Sequence, residues 1–428
     1  MNSGKSDDSG VTAWLVRRAS WPAQAAALAL VLVAVFEVYR RSGLDGMDNR
    51  FVIRAARALL DGGSPYADRR FLYLPSSVLA AVPEALLPRG VLRPLVPAAT
   101  AAAVLTGWWC ALRIFEVSPR SRLGVLVAGG LVYFAPFRSL VLLGNWTAFS
   151  AAALPLALLL AVRSRWTAAG AVVGTAIALK PMLVPVTLLF LMARRPRALA
   201  LAAGVPVVSS LAAALVMPNP TFFFTRTLPF LLHGQDAYAR PFDASLVAIL
   251  PRLGVPQSAA LLAAAAASGA GVWCAWRRWT GAGAGLPGLQ PSPVPGTARW
   301  TAGGGRGHLT ERLRLAETAT MLMLSAFLVS RPSFEHYSLV VLPLLLASVV
   351  VPGSVARTPW FWLTLLPQVP VIQWPLLRPV TRRAYKDALM LCGLAVVLAW
   401  TCVRGRRVLV PEQGGAADPR PAGSRATL

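Results

Sequence analysis

Apolar runs of about 15 to 23 residues, separated by short arginine clusters, constrain this chain more than any other feature. In lipid such a run must satisfy every backbone polar group internally, which leaves a bundle of helices as the available fold. Of the 428 residues, 56% are hydrophobic and 14% are charged, and the mean hydropathy is +0.58. The chain therefore reads as an all-α polytopic membrane protein. The net charge of +25 would fit a nucleic-acid binder if the basic residues formed one patch interleaved with aromatics. They stand instead between the apolar runs, at Arg17/Arg18, Arg120/Arg122, Arg163/Arg165, Arg194/Arg195/Arg197, Arg277/Arg278, Arg312/Arg314 and Arg404/Arg406/Arg407. That pattern marks cytoplasmic loops beside a lipid bilayer and excludes nucleic acid as the partner. Residues 22–38 follow a polar start and carry no small-residue cleavage site, so they read as an uncleaved first span. Cys110, Cys274, Cys392 and Cys402 lie in or beside apolar runs with no CxxC pair, which predicts neither a disulfide framework nor a structural zinc.

With each arginine cluster inside, every interval between clusters holds an even number of crossings. The interval 166–193 is the informative one, because Lys180 is its single charge. It is long for one span and short for two, since half of it reaches only about 20 Å at 1.5 Å per residue. Two shortened helices broken at Lys180-Pro181 fit, because proline ends the first of them. A lone ammonium costs roughly 2.5 to 3.5 kcal/mol on insertion scales, so Lys180 is expected at the outer tip, facing a cavity. About twelve transmembrane crossings follow, near 22–40, 91–113, 122–143, 146–162, 167–180, 181–193, 197–217, 257–276, 315–330, 334–352, 358–377 and 384–403, with both termini cytoplasmic. The predicted organisation is a cytoplasmic segment 1–21, a membrane domain 22–403 and a disordered cytoplasmic tail 404–428. The membrane domain includes outer loops 41–72 and 218–256 and a flexible Gly/Pro-rich cytoplasmic linker 280–308. The short runs 73–88 and 243–252 read as re-entrant or interfacial helices.

The first outer loop holds Asp45, Asp48, Asp61 and Asp68. Its stretch "RFVIRAARALL" has helical period, with Phe51, Ile53, Ala56 and Leu60 on one side and Arg50, Arg54 and Arg57 on the other. It is expected to lie along the membrane surface. Asp48, just ahead of that helix, is either its N-cap or a general base at the mouth of a cavity. Lys180, Arg226, Arg331 and Arg69/Arg70 fall on the outer side, where cations should be depleted. Singly each reads as an interfacial anchor; together they predict a cavity for an anion such as an isoprenoid phosphate, with Lys180, Arg226 and Arg331 as its ligands. Tyr73, Asn145, His233, Asp236, Glu335 and His336 are candidates for binding substrate. Plainer readings stand beside them: Asn145 as a turn residue, His233 and Asp236 in a surface loop, and Glu335 and His336 in a helical first turn capped by Ser333. A metal set of Asp48, Asp236 and His336 has no ligand spacing behind it, so neither a metal nor another cofactor is predicted.

The segments "MDNRFVIRAARALLDGGSPYADRRFLYLPSS", "LLGNWTAFSAAALPLALLLAVRSR", "AGAVVGTAIALKPMLVPVTLLFLMARRPRAL", "NPTFFFTRTLPFLLHGQDAY" and "SRPSFEHYSLVVLPLLLA", in this order, resemble the GT-C glycosyltransferases of family 87. The resemblance runs from about Asp45 to Leu346. It implies a GT-C-like fold and a plasma-membrane enzyme that uses a polyprenyl-phosphate sugar donor and a glycan acceptor outside the membrane, with inversion. For a decaprenylphosphoryl arabinofuranose donor it implies an arabinan acceptor and an α-linked branch. It also implies that Asp48, 18 residues before Tyr66, is the base. Here the chain reads Asp48-Asn49, where the resembling enzymes carry adjacent acids ending at the position of Asp48, so any paired-carboxylate role is left open. A mannosyl donor, and a flippase that binds the same headgroup without chemistry, are the alternatives. The arginine-rich turns on the cytoplasmic side offer little polar access for transport.

Overall fold

The computed structural model describes residues 4–41, 46–233, 240–281, 305–369, 372, 374–375 and 380–404. Regular structure among them is helical, apart from an isolated bridge between Arg18 and Ser121. The first part comprises α1 (Gly4–Val16), α2 (Trp21–Arg41), α3 (Met47–Leu60), α4 (Pro75–Ala85) and α5 (Arg89–Ile114). The middle comprises α6 (Arg122–Gly130), α7 (Ala135–Leu143), α8 (Thr147–Val162), α9 (Trp166–Leu179), α10 (Thr187–Met192) and α11 (Pro196–Val216). Then follow α12 (Leu228–His233), α13 (Leu246–Arg252), α14 (Gln257–Thr280), α15 (Gly305–Val329), α16 (Ser338–Ala347), α17 (Pro359–Leu365) and α18 (Val380–Arg404). By length and composition α2, α5, α11, α14 and α18 are each able to cross a membrane, and the pair containing α6 and α7, bent by 68°, adds a sixth among the described residues. Their outward faces are greasy: Leu28, Leu32 and Phe36 of α2 and Val208, Leu211 and Leu215 of α11 are all exposed. Faces of this kind belong against lipid.

Small residues set the closest helix crossings. Gly170 and Gly174 stand one turn apart on α9 and face α11. A Cβ at Gly170 would lie 2.2 Å from the Ala198 carbonyl oxygen, and one at Gly174 2.6 Å from that of Leu201. Gly107 of α5 makes the same approach to Ala151 of α8. Hydrocarbon tails are as apolar as leucine, so such interfaces rest on van der Waals contact and gain from small residues.

The break after α9 falls where the sequence predicts it. Lys180 leaves helical geometry at φ −152°, ψ 121°, and Pro181 opens a 3₁₀ segment, Pro181–Val186, that leads into α10. At 14 residues, α9 is about 21 Å long, shorter than the roughly 30 Å hydrocarbon core of a bilayer.

Several expectations need correction. Asp48 does not cap α3: the helix begins at Met47, Gly46 occupies the N-cap at φ 80°, and Asp48 sits in the first turn. The buried face of α3 is Asn49, Val52, Ile53, Ala55 and Ala56, whereas Leu60 is exposed. The cause is α4, which packs on α3 and covers that face. Ser333 does not cap its helix either; Phe334 holds that position, and the Ser333 amide donates to Asp243 Oδ1 at 3.0 Å. Helix occupies residues 305–308 and reaches Thr280 at the edges of the expected linker. Its centre, residues 282–304, lies outside the described residues, as do 405–428 of the tail and Asp236. All four cysteines are free.

Gly170→Leu is expected to force α9 away from α11. The resulting overpacking should cost about 1 to 3 kcal/mol, visible as a lower thermal unfolding midpoint in detergent, whereas Gly204→Leu, with open space around its Cβ position, should leave the midpoint nearly unchanged.

Candidate active site

The site forms where the start of α3 meets the α7–α8 turn and the end of α9. α7 ends at Gly144, left-handed at φ 60°, whose missing Cβ would lie 2.6 Å from Val96 and 3.3 Å from the Asn49 Cβ. A Cβ at Gly46 would similarly lie 2.7 Å from the Leu143 carbonyl oxygen. The two glycines let the α3 N-terminus approach the "LLGNW" turn closely. Asp48-Asn49 and Asn145-Trp146 then pair side by side. Asn145 Nδ2 donates to Asp48 Oδ2 at 2.5 Å, and Trp146 Nε1 donates to Asn49 Oδ1 at 2.9 Å. Asn49 Nδ2 also donates to Glu84 Oε1 of α4 at 2.5 Å. Asn49 is thus a buried brace beside the carboxylate.

Lys180 approaches from the other side of Asn145. Its ammonium donates to Asn145 Oδ1 at 2.7 Å and to Thr147 Oγ1 at 2.8 Å, and it lies 5.6 Å from the Tyr73 ring centroid and 5.3 Å from that of Tyr337. Asn145 Oδ1 also accepts the Thr147 amide at 2.8 Å, which ties the asparagine to the first turn of α8. One side-chain amide therefore separates a carboxylate from an ammonium. An ammonium has three protons; two are held by Asn145 and Thr147, which leaves one to direct at a ligand. Burial pushes the Asp48 carboxyl above its ordinary range, opposed by the Asn145 hydrogen bond and the Lys180 charge. A carboxyl so placed is a stronger proton acceptor when ionised.

Asp48, Asn145 and Lys180 line a cavity of about 1090 Å³ together with Tyr73, Arg331, Glu335 and His336. Of the residues singled out from sequence, it gathers Asp48, Lys180, Tyr73, Asn145, Arg331, Glu335 and His336. Arg331 is already engaged, its Nε 3.7 Å from Asp243 Oδ2. Arg226 lies apart from Lys180, in a separate shallow groove with Arg69 and Arg70, and its guanidinium sits 3.8 Å from the Phe222 ring centroid. Arg70 lines both spaces. His233 ends α12, and its side chain lies outside the described residues. No three His, Cys, Asp or Glu side chains converge as a metal set among the described residues. Sequence reasoning missed Thr147, the second acceptor for Lys180, and Arg383 and Asp387 of α18, which also line the cavity. Thr147 lies two residues beyond Asn145 in the same motif, whereas the α18 pair carries no local signal.

Asn49→Ala removes the acceptor of the Trp146 indole N–H and one donor to the Glu84 carboxylate. It is expected to lower stability by about 1 to 3 kcal/mol, measured by thermal unfolding, with Asn49→Asp less tolerated than Asn49→Gln because it sets a second carboxylate against Glu84.

The family model for Glycosyltransferase family 87 matches residues 71–290, just over half of the chain. An alpha-(1->3)-arabinofuranosyltransferase of Mycobacterium tuberculosis, in strains H37Rv and CDC 1551, is 31% identical over 247 residues, which is 53% of this chain and 54% of that protein. The chain thus spans about half the length of these curated relatives. An alpha-(1->3)-arabinofuranosyltransferase of Mycolicibacterium smegmatis is 25% identical over 368 residues, 82% of this chain and 76% of that protein. No solved structure matches. The family match includes Tyr73, Asn145 and Lys180, three residues of the cavity wall, and the protein belongs to glycosyltransferase family 87.

Proposed function

We propose that the protein is a membrane glycosyltransferase that moves a sugar, arabinofuranose, from a polyprenyl-phosphate donor to a cell-envelope glycan on the outer face of the plasma membrane. The observation that carries this reading is that Asp48 and Lys180 line one cavity, a single asparagine amide apart. The printed activity of the mycobacterial relatives supports arabinofuranose as the sugar. The arginine clusters on the opposite loops support an outward-facing site and the twelve-crossing topology, in which the shorter helices and helix pairs also cross the bilayer.

In the proposed reaction an acceptor hydroxyl attacks the anomeric carbon as the bond from that carbon to the phosphate oxygen breaks, which inverts the configuration. The hydroxyl proton passes to Asp48. The polyprenyl phosphate departs with the electron pair and is stabilised by the Lys180 ammonium in a poorly hydrated space, where a fixed charge acts strongly. Asn145 holds base and ammonium at fixed separation. Tyr73 presents an aromatic face beside Lys180 and walls the sugar. Asn49 rather than an acid beside Asp48 leaves a single base on this side. Arg226, in the neighbouring groove, is left out of the leaving-group site.

In nanodiscs supplied with decaprenylphosphoryl arabinose and a synthetic arabinofuranoside, the protein is expected to extend the acceptor. Asp48→Asn should lower the rate by about 10²- to 10⁴-fold without changing the unfolding midpoint. Undiminished transfer by that variant would remove the proposed base. Transfer from the mannosyl analogue alone would replace the sugar, and movement of labelled lipid across the bilayer without transfer would favour a flippase.

The acid limb of the pH–rate profile should lie above that of an exposed carboxylate, because burial disfavours the ionised form of Asp48. Asn145→Ala removes a bond that lowers this pKa and should move the limb further up. A limb that moves down, or stays fixed, would dissociate it from Asp48.

A further inference from the structure

Beyond Lys180, the cavity wall is built from the 3₁₀ turn Glu335–Tyr337 and from α18. Arg383 Nη2 donates to Glu335 Oε1 at 2.5 Å, and Gln368 Nε2 donates to Asp387 Oδ1 at 2.7 Å. Glu335, His336 and Asp387 are each at most 4% exposed, yet all line the cavity. Glu335 Oε2 and His336 Nε2 are buried without a hydrogen-bond partner. A buried polar atom left unsatisfied is costly, so two on one cavity wall ask for a ligand that satisfies them.

The chemistry of the wall selects the ligand class. Each carboxylate has a partner: Glu335 has Arg383, Asp387 has Gln368, and Asp243 has Arg331. The wall therefore presents two ion pairs and a carboxylate held by a neutral amide, with both donors and acceptors on one surface. A hydroxyl both donates and accepts, and a neutral saccharide carries a row of them. The cavity, about 1090 Å³, exceeds the roughly 300 to 1,000 Å³ of a site for one small ligand. There is room for a second sugar beside the one on the donor.

We propose that the wall formed by Glu335, His336, Arg383 and Asp387 is the acceptor subsite, where the hydroxyls of a neutral glycan are held. The inference rests on the transferase reading for the name "acceptor", but the binding it describes does not. Tyr337 joins the two ends: its ring lies 5.3 Å from the Lys180 ammonium, while Glu335, two residues earlier, holds Arg383. The short turn therefore fixes the separation between the leaving phosphate and the incoming glycan. Asp387 and Arg383, one helical turn apart on α18, determine which glycan fits.

The test uses the full chain in nanodiscs with a synthetic methyl α-arabinofuranosyl oligomer. Saturation-transfer NMR, without donor, is expected to detect the oligomer on the wild type and on Asp48→Asn, and to lose it in His336→Gln and Asp387→Asn. His336→Gln guards against misfolding, because no hydrogen bond of Nε2 is removed. In steady-state transfer both variants should raise KM for the oligomer by about tenfold or more, the scale for leaving one buried polar group unpaired, with KM for the lipid donor within twofold. Unchanged oligomer binding and KM in both folded variants, or a rise confined to the donor KM, would overturn the subsite. A wild type that binds the oligomer but transfers nothing would overturn the transferase and leave the subsite standing.

Discussion

The organisation of the site depends on one ammonium that has to be accommodated inside a helical bundle. A buried cation without partners is costly enough to be neutralised or expelled. Lys180 is retained because Asn145 and Thr147 accept its protons and two tyrosine faces lie near it. Each of these partners makes its own demand on the fold. Asn145 has to stand at the end of α7, which requires the left-handed Gly144, and Gly144 in turn admits the start of α3 and brings in Asp48.

The closeness of Asp48 and Lys180 is of a particular kind. They are joined through an amide and share no direct ion pair, so each keeps a face for substrate. A direct contact would satisfy both charges and blunt both functions; separation through a neutral group leaves the carboxylate able to accept a proton and the ammonium able to meet an anion. Asn49 contributes by neutrality. Its amide braces Trp146 and Glu84 at a position where a second carboxylate would stand against Glu84.

Much of this was legible in the residues. Proline after Lys180 ends a helix by steric necessity, so the break in the 166–193 run is a local fact that the structure reproduces at the same residue. Lys180 stands out because charge is rare in an apolar run, and Asp48 because acids are few and gather in one loop; both line the cavity. Where the structure departs from the sequence pattern, packing decides, through a distant element in one case and a near neighbour in another. Leu60 fits the period of α3 but is left exposed, because α4 covers a face rotated from the one that hydropathy marks. Arg226 stacks on the nearby Phe222 ring and lines a separate groove, away from Lys180.

The sequence by itself determined the helical class, the lipid-facing composition, the break at Lys180-Pro181 and the polar residues that had to find partners, because each follows from local sterics or from the cost of polarity in hydrocarbon. Only the tertiary structure decided that Asp48 meets Asn145 across 97 positions, that Asn49 is a brace, and that α18 supplies Arg383 and Asp387 to the same cavity. Those pairings are set by which helices can approach closely, at Gly46, Gly144, Gly170 and Gly174. Close approach is a property of two surfaces at once, which no single segment encodes.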